Sequence, residues 1–297
     1  MNPTDATAVL PDLLATASLP DRYARRPIRV WARSGVERLV FDGGMSVVFK
    51  YAEYPFDNED HVLVEAAGAG LPVPAVHASA HRDGLLAMLI EDLGDARRQA
   101  DLDDGARAAV ELHAVPTLPG LSRLGRTELA ALPTSAAGIL GRFDLPDDVR
   151  AGLDSLVAAA DARAEGAELA PFGLVHSEFH HTSLHVTDEG VRVLDLARAF
   201  VGPGLLDLAS WHGTIDAPDV ERVRELIDLY RGQGGAPSAA EDRGGLDAAS
   251  WALGWHRVWA AEWFAQQLDL GWADGAEDAW LTAISRHLIE AAGLLKV

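Results

Sequence analysis

Short apolar runs bounded by turn-forming residues recur along the first ninety positions, a pattern typical of β-strands. They predict strands at residues 28–31, 38–41, 46–51, 75–80 and 85–90. Asp42, Gly43 and Gly44 separate the second and third strands and are typical of a tight turn, so we expect an antiparallel meander. Residues 57–69 have helical spacing and end at a glycine followed by prolines, which predicts a helix before the fourth strand.

Beyond residue 96 the pattern changes to alanine- and leucine-rich stretches with helical spacing. They predict helices within residues 97–115, 146–165, 218–231 and 247–295. Strands are predicted in this half at 174–175, 183–186 and 191–194, and a glycine-rich loop at 232–238. We therefore expect an α+β protein of two lobes, with a ligand site in the crevice that separates them. The predicted boundaries are a β-rich lobe at 1–90, a hinge at 91–96 and a helical lobe at 97–297.

Composition excludes several functional classes. Hydrophobic residues make up 48% of the 297 positions and charged residues 24%, which is ordinary for a globular protein with a real core. The net charge of −20 makes nucleic acid and anionic membranes poor partners. Because cysteine is absent, disulfides, zinc–thiolate sites and cysteine nucleophiles are excluded. The first residues lack the pattern of a secretory signal, and no apolar run approaches a membrane span, so we expect a cytoplasmic protein.

Four ionisable residues at the ends of predicted elements suggest phosphoryl transfer. Glu178 lies in a histidine-rich loop over 174–186, and Asp195 directly follows a predicted strand. In kinases one carboxylate accepts a hydroxyl proton, while another holds magnesium against the nucleotide phosphates. Upstream, Lys50 ends an apolar strand and Glu59 lies early in the next helix. A lysine paired in this way with a glutamate orients phosphates.

Five segments in this order resemble the aminoglycoside phosphotransferase and choline kinase-like family of small-molecule kinases. They are residues 48–50, Glu59 ahead of 71–74, residues 89–94, residues 176–183, and Asp195 with 202–209. The resemblance covers residues 25–215 approximately. It implies a protein-kinase-like fold and an enzyme that moves the γ-phosphate of ATP or GTP, with Mg²⁺, to an alcohol group.

The resemblance also implies roles for residues of the second half of the chain. Glu178 would be the catalytic base, and His176 and Asp207 would support its loop. Asp195 would be the principal magnesium ligand and Ser183 a further one.

In the first half, the resemblance implies nucleotide-binding roles. Lys50 would contact the α- and β-phosphates, steadied by Glu59, and the turn at Ser34 and Gly35 would lie over the phosphates. Adenine would be bound by the backbone of the hinge residues Glu91, Asp92 and Leu93. The expected acceptor is an aminoglycoside or another amino- or hydroxyl-bearing metabolite, or a serine or threonine of a biosynthetic peptide. We also consider a protein partner in a biosynthetic pathway.

Three positions depart from the family pattern. Glu178 replaces an aspartate, Ser183 an asparagine and Ser177 a glycine. Glutamate is one methylene longer, and a misplacement of about 1 Å can lower a rate about a hundredfold. Serine at 177 predicts ordinary backbone torsions there. The departures leave an alternative open, namely a degenerate kinase that binds nucleotide, peptide or a partner enzyme without catalysis.

The histidines suggest a third hypothesis, a metal-dependent hydrolase. Within ten residues the chain has His176, Glu178, His180, His181 and His185. Alternate residues of a strand-bounded loop point in different directions, so we do not expect all five to converge on one ion.

Tryptophans recur at every fourth position over Trp251, Trp255, Trp259 and Trp263. At 3.6 residues per turn they form a slowly winding stripe on a helix. We interpret the stripe as core packing, with the wall of an acceptor pocket as the alternative.

Overall fold

The computed structural model describes residues 3–31 and 33–297. Its helices are α1 (Pro3–Thr16), α2 (Glu59–Gly68), α3 (Leu102–His113), α4 (Arg126–Leu140), α5 (Asp147–Arg163), α6 (Leu205–Ser210), α7 (Val220–Gly232), α8 (Ala248–Asp269) and α9 (Glu277–Leu295). Its strands are β1 (Tyr23–Val30), β2 (Ser34–Phe41), β3 (Ser46–Glu53), β4 (Val76–Arg82), β5 (Leu85–Glu91), β6 (Phe172–Val175), β7 (Leu184–Thr187), β8 (Gly190–Val193) and β9 (Phe200–Pro203). The chain divides into two compact units, residues 1–100 with 181–199, and residues 101–180 with 200–297.

The first unit is built on a five-stranded antiparallel sheet of order β1-β2-β3-β5-β4. Strand β5 lies inside the sheet, and its first six residues are all buried, as expected for a strand covered on both faces. Leu10 and Leu13 of α1 pack with Leu39, Phe49 and Leu89 in one apolar cluster.

A short hairpin of β7 and β8 completes the first unit. Two backbone hydrogen bonds attach it to the rest of the unit. The N–H of Val193 donates to the carbonyl of Pro72 at 2.8 Å, and the N–H of Arg97 donates to the carbonyl of Val186 at 2.9 Å. These bonds fix the end of β8, the point from which Asp195 projects.

The second unit consists of helices α3 to α9 and the antiparallel pair β6–β9. Helix α8 is buried nearly all round, because it packs against α4, α6, α7 and α9. Trp251 and Trp255 are wholly buried in it, and both indole N–H groups donate to the carbonyl of Arg163, at 2.7 and 3.0 Å. For these two tryptophans the core interpretation is confirmed.

The predicted α+β class is confirmed, and each predicted strand corresponds to a strand of the structure. Helices α1 and α4 were not predicted; each contains an internal proline, Pro11 or Pro133, which weakens the helical signal. Strand β9 was missed as well, because its Gly202 and Pro203 are residues typical of a turn. The lobe boundaries given above stay a prediction. Among the described helices, none combines the length and apolar character that crossing a bilayer requires.

Candidate active site

Lys50 is held by two carboxylates within the first unit. Its Nζ lies 2.5 Å from Oε2 of Glu59 and 2.7 Å from Oδ1 of Asp195. Burial alone would lower the pKa of Lys50, but the two carboxylates outweigh it and raise that pKa above its ordinary value. The lysine is therefore a charged ammonium group. The sequence placed these three residues in one site, and the structure brings them into direct contact.

Three separate elements supply this ion cluster. Lys50 comes from β3, a strand paired on both sides, and Glu59 is the first residue of α2. Asp195 follows β8 and has a left-handed backbone with φ of 63°. The Glu59 side chain is 2% exposed and that of Asp195 is 36% exposed. Glu59 is thus a buried anchor for the lysine, whereas Asp195 is accessible to a ligand.

Sequence reasoning missed a second cation beside Asp195. Nη2 of Arg29 lies 3.6 Å from Oδ2 of Asp195, and the Arg29 guanidinium lies over the Trp31 ring at 4.2 Å. Arg29 belongs to β1, far from Asp195 in sequence, so no local pattern distinguishes it from the other arginines of that strand. Asp195 therefore contacts two cations, on a protein of strongly negative net charge.

The two predicted magnesium ligands are connected through the backbone. Ser183 ends a three-residue 3₁₀ turn, and its carbonyl accepts a hydrogen bond of 2.8 Å from the N–H of Leu194, the neighbour of Asp195. Ser183 is buried. The side chains offer a carboxylate and a hydroxyl group, both oxygen donors, the type of ligand that Mg²⁺ prefers. The donor atoms of the two residues are therefore of the right chemical type for such an ion.

The predicted phosphate turn has a packing reason for its glycine. A Cβ on Gly35 would lie 2.3 Å from the ring of Tyr51, which is opposite it in the β2–β3 pair. The carbonyl of Ser34 accepts a 2.8 Å hydrogen bond from the N–H of Trp31. Gly35 is thus required by the sheet, and the phosphate role of both residues stays a prediction.

The hinge is held in shape by Asp92. Its carboxylate lies 2.7 Å from Nε of Arg38 and accepts a 3.0 Å hydrogen bond from the N–H of Gly94. Burial opposes ionisation, but hydrogen bonds from Ser46, Gly94 and Arg38 and the arginine charge outweigh it, so the pKa of Asp92 is lowered. The Asp92 side chain therefore stabilises the conformation of the hinge backbone.

The neighbouring hinge residues differ in their backbone hydrogen bonds. The N–H of Glu91 donates to the carbonyl of Ala75 at 2.8 Å. Within the described part of the chain, the backbone of Leu93 has no such bond. The role of the hinge backbone in binding a base stays a prediction.

In the second unit, α6 holds the predicted catalytic loop through Asp207. Its Oδ2 accepts the N–H of His176 at 2.8 Å, and its Oδ1 accepts the N–H of Ser177 at 3.0 Å. Nε2 of His113 lies 3.4 Å from Oδ2. One turn along α6, the hydroxyl of Ser210 donates to the carbonyl of Phe179 at 2.7 Å. The loop backbone is therefore fixed at His176, Ser177 and Phe179.

Glu178 is the exposed residue between two buried neighbours of this loop, Ser177 and Phe179. Its N–H donates to Nδ1 of His176 at 3.3 Å. His176 is 0% exposed, so its ring can support the loop but cannot touch a substrate. The arrangement favours a positioning role for His176 and presents the carboxylate of Glu178 to solvent.

The expectation for Ser177 is wrong. This serine has φ of 77°, the left-handed region that glycine adopts readily. The N–H of Ser177 donates to Asp207 and the N–H of Glu178 donates to the His176 ring, so the peptides before and after this residue are both fixed. These bonds override the preference of serine for negative φ.

The histidines of residues 176–185 do not form a converged metal site. Among the described residues, the group whose donor atoms come together is Asp60, His61 and His81, in another part of the chain. Trp259 and Trp263 of the tryptophan stripe are half-buried, and Trp259 contacts Phe200 and stacks on His256.

This fold is of the protein-kinase-like class, and comparison with known proteins identifies the family. Residues 42–248, more than half of the chain, match the phosphotransferase enzyme family that includes the aminoglycoside phosphotransferases. The chain belongs to this family, whose kinase members use a nucleotide as phosphate donor.

Solved structures show the same protein-kinase-like fold. A macrolide 2′-phosphotransferase from Brachybacterium faecium is 19% identical, with 95% of this chain and 98% of that chain covered at a TM-score of 0.63. A choline/ethanolamine kinase family protein from Mesorhizobium loti is 19% identical, with 99% and 100% covered at 0.62. An amicoumacin kinase in complex with AMP-PNP and Ca²⁺ is 15% identical, with 96% and 93% covered at 0.61.

A curated protein from a Pseudomonas species, named acetaldehyde dehydrogenase, is 28% identical over 107 residues. The match spans 35% of this chain and 28% of that protein's length. A match of this extent does not define a family.

Proposed function

We propose that the protein transfers the γ-phosphate of ATP or GTP to a hydroxyl group of a small molecule, with Mg²⁺. The observation that carries the proposal is Lys50 held at hydrogen-bond distance by Glu59 and Asp195. A half-buried, charged lysine with one buried and one accessible carboxylate is the arrangement by which kinases bind a nucleotide and its metal ion.

In this proposal the first unit binds the nucleotide. Lys50 contacts the α- and β-phosphates while Glu59 keeps the ammonium group in place. Arg29 adds a second positive charge at the phosphates. Asp195 and Ser183 hold magnesium, which neutralises the negative charge that phosphates concentrate there.

Adenine or guanine binds at the hinge. The main chain of Leu93 supplies the hydrogen bonds to the base, and the backbone of Glu91 and Asp92 shapes the segment. Ser34 and Gly35 cover the phosphates. The hinge role is supported by the backbone hydrogen bonding of this segment and by membership of the family. The role of Ser34 and Gly35 rests on the resemblance alone.

Glu178 acts as the catalytic base in the second unit. It accepts the proton of the acceptor hydroxyl as that oxygen bonds to the γ-phosphorus, while the bond from phosphorus to the bridging oxygen breaks and ADP or GDP leaves. His176 and Asp207 hold the loop in position.

The acceptor in this proposal is an amino-bearing metabolite with a free hydroxyl. A net charge of −20 attracts cations toward the protein surface. Structural neighbours include a macrolide phosphotransferase and an amicoumacin kinase, so antibiotics of these kinds belong in the first acceptor panel. A peptide serine or threonine is the alternative acceptor for the same panel.

Nucleotide binding at Lys50 can be tested by labelling, because Lys50 and Lys296 are the two lysines of the chain. An acyl-phosphate derivative of ATP should acylate Lys50, and excess ATP should prevent this. Lys296 is exposed and serves as the internal control in the same mass spectrum. Equal labelling of both lysines with no effect of ATP would contradict the proposal.

Turnover is tested by magnesium-dependent transfer of labelled phosphate to the acceptor panel. Asp195→Ala should abolish transfer, and Asp42→Ala, an exchange in the turn between β2 and β3, should not. Transfer that survives Asp195→Ala would rule out the proposed metal site.

A non-catalytic, nucleotide-binding protein is the second candidate. The observation in its favour is the burial of Ser183, which limits the reach of its hydroxyl toward a metal ion. If Lys50 binds ATP but no acceptor is phosphorylated, the double exchange Glu178→Asp with Ser183→Asn decides between the candidates. Activity gained by that exchange would identify the natural protein as a binding module.

A further inference from the structure

A second group of ionisable side chains lies in the first unit. The donor atoms of Asp60, His61 and His81 all lie within 4.8 Å of one another. Asp60 and His61 are in the first turn of α2, and His81 is on β4. We propose that Asp60, His61 and His81 form a binding site for a divalent transition-metal ion, with Zn²⁺ as the ion that best fits the ligands.

The geometry of the three side chains is close to that of a metal site. Nε2 of His81 lies 3.1 and 3.2 Å from the two oxygens of Asp60, and the rings of His61 and His81 are stacked at 5.4 Å with 14° between their planes. With metal–ligand distances near 2.1 Å, the ligand atoms of a tetrahedral site lie about 3.4 Å apart. Separations of up to 4.8 Å must therefore shorten by up to about 1.4 Å.

The exposure of each ligand permits that movement. The Asp60 side chain is 3% exposed and is fixed, whereas the His81 side chain is 44% exposed and His61 is exposed as well. A buried carboxylate then serves as the anchor, and two imidazoles at the surface can rotate toward the ion. Water can fill the remaining coordination position from the open side.

The ligand types select the kind of ion. Two imidazoles with one carboxylate are typical of zinc and its first-row neighbours, whereas magnesium and calcium take oxygen ligands. The carboxylate is ready to bind. Burial opposes its ionisation, but hydrogen bonds from Ser79 and His81 and the nearby histidine charges outweigh it, so the pKa of Asp60 is lowered.

A simple ion pair does not account for the whole arrangement. In such a pair His81 alone meets Asp60, and His61 only stacks on the His81 ring. A divalent cation bonded to two neutral imidazoles and the carboxylate would engage all three side chains.

The position of this site has a consequence for the proposed nucleotide site. Asp60 directly follows Glu59, so an ion bound here would fasten the first turn of α2 to β4, the edge strand of the sheet. Bound zinc would thereby stabilise the contact of Glu59 with Lys50, a consequence that rests on the proposed function. The ion-binding site itself does not depend on phosphate transfer.

The test is a calorimetric titration of the nucleotide-free protein with Zn²⁺ alone, in a buffer with excess Mg²⁺ to occupy the oxygen-rich site at Asp195. One zinc ion per chain is expected. His61→Ala and His81→Ala should each weaken binding at least about tenfold, since even outer-shell partners of a metal contribute 10- to 100-fold. His77→Ala, an exposed histidine of β4 outside the group, is the matched control and should bind as the wild type does.

Circular dichroism of each variant confirms that it is folded, and both test positions are exposed, so the fold should persist. Zinc should also raise the unfolding temperature of the wild type and of His77→Ala, but not of His61→Ala or His81→Ala. Zinc binding that is equally strong in all variants, or no binding at micromolar zinc, would overturn the proposal. Because the titration contains no nucleotide or acceptor, its failure would leave the Lys50 labelling result intact, and the reverse also holds.

Discussion

Replacing Ser177 by glycine should stabilise the protein, although most substitutions at buried positions do the opposite. Ser177 has φ of 77° and is 5% exposed. Within the described residues its hydroxyl oxygen has no hydrogen-bond partner. The side chain thus combines backbone strain with a buried polar atom, in a loop whose main chain is fixed by Asp207.

The expected size of the effect follows from these contributions. A residue other than glycine in the left-handed region costs about 1–2 kcal/mol. Glycine loses more conformational freedom on folding, which offsets about 0.5–1 kcal/mol. Removing a buried, unpaired hydroxyl contributes a gain of about 1 kcal/mol, less the packing that the side chain provided. Ser177→Gly should therefore gain about 1 kcal/mol, a rise of about 2 °C in unfolding temperature for a chain of this length.

Ser18→Gly is the matched control, because Ser18 also has positive φ, 54°, but is exposed. Its gain should be about half as large, since only the backbone contributes. Differential scanning calorimetry measures both variants. Phosphate transfer by Ser177→Gly should equal that of the wild type, because the loop keeps its torsions and Glu178 its position. A fall in unfolding temperature for Ser177→Gly would refute the reasoning about this loop.

Three further predictions concern other charged groups. Arg29→Ala should raise the KM for nucleotide about fivefold in steady-state kinetics, because the loss of one exposed charge costs about 1 kcal/mol of binding free energy. Arg26→Ala, on the same strand, should leave the KM unchanged. Asp92→Asn should lower the free energy of unfolding, measured in urea at pH 7, by about 1–3 kcal/mol. The pKa of Asp92 is lowered in the folded state, so the stability that its charge contributes is fully present above its unfolded pKa, near 3.9. The difference between the two proteins should disappear as pH falls through the folded-state pKa. His256 is buried, and burial with the charge of Arg257 lowers its pKa to about 3. Since unfolded histidine titrates near 6.5, the wild type should lose about 2 kcal/mol from this residue between pH 7.5 and 5, and His256→Leu should not; equal pH dependence in the two proteins would contradict this.

The strands and the ion cluster could be predicted because their signals are local or lie in a fixed order. Apolar runs mark each strand of the first sheet, and Lys50, Glu59 and Asp195 each stand at the end or beginning of such an element. That these three touch is a property of the fold, and it was inferred from the order of five segments along the chain, not from any one of them.

Contacts made by isolated residues from distant segments could not be predicted. Arg29 reaches Asp195, and His113 reaches Asp207, across 166 and 94 positions of sequence. Neither residue stands in a pattern that distinguishes it from other arginines or histidines. Ser210 had a weak signal, since it lies one helical turn after Asp207 and therefore on the same face of α6.

The torsion at Ser177 could not be read from the residue type, because the structure overrides the local preference. A serine predicts negative φ, but the N–H of Ser177 donates to Asp207 and the N–H of Glu178 to the His176 ring, and these bonds hold the peptides on either side of Ser177. Helix α4 likewise forms against the preference of one of its residues. Its internal Pro133 opposes a helix, and packing against α5 and α8 outweighs that cost.

The unequal burial of the two carboxylates on Lys50 suggests how the cluster works when a nucleotide binds. Glu59 is 2% exposed, and separating it from the Lys50 ammonium group would leave a buried charge without compensation, which costs free energy. Glu59 therefore stays paired with Lys50. Asp195, at 36% exposure, can exchange Lys50 for a metal ion at a smaller cost. That exchange frees one N–H of Lys50 for a phosphate oxygen while Glu59 keeps the side chain in place. In the proposed mechanism, the contact of Lys50 with Asp195 therefore leaves Asp195 available as a metal ligand and Lys50 available as a hydrogen-bond donor to a phosphate oxygen.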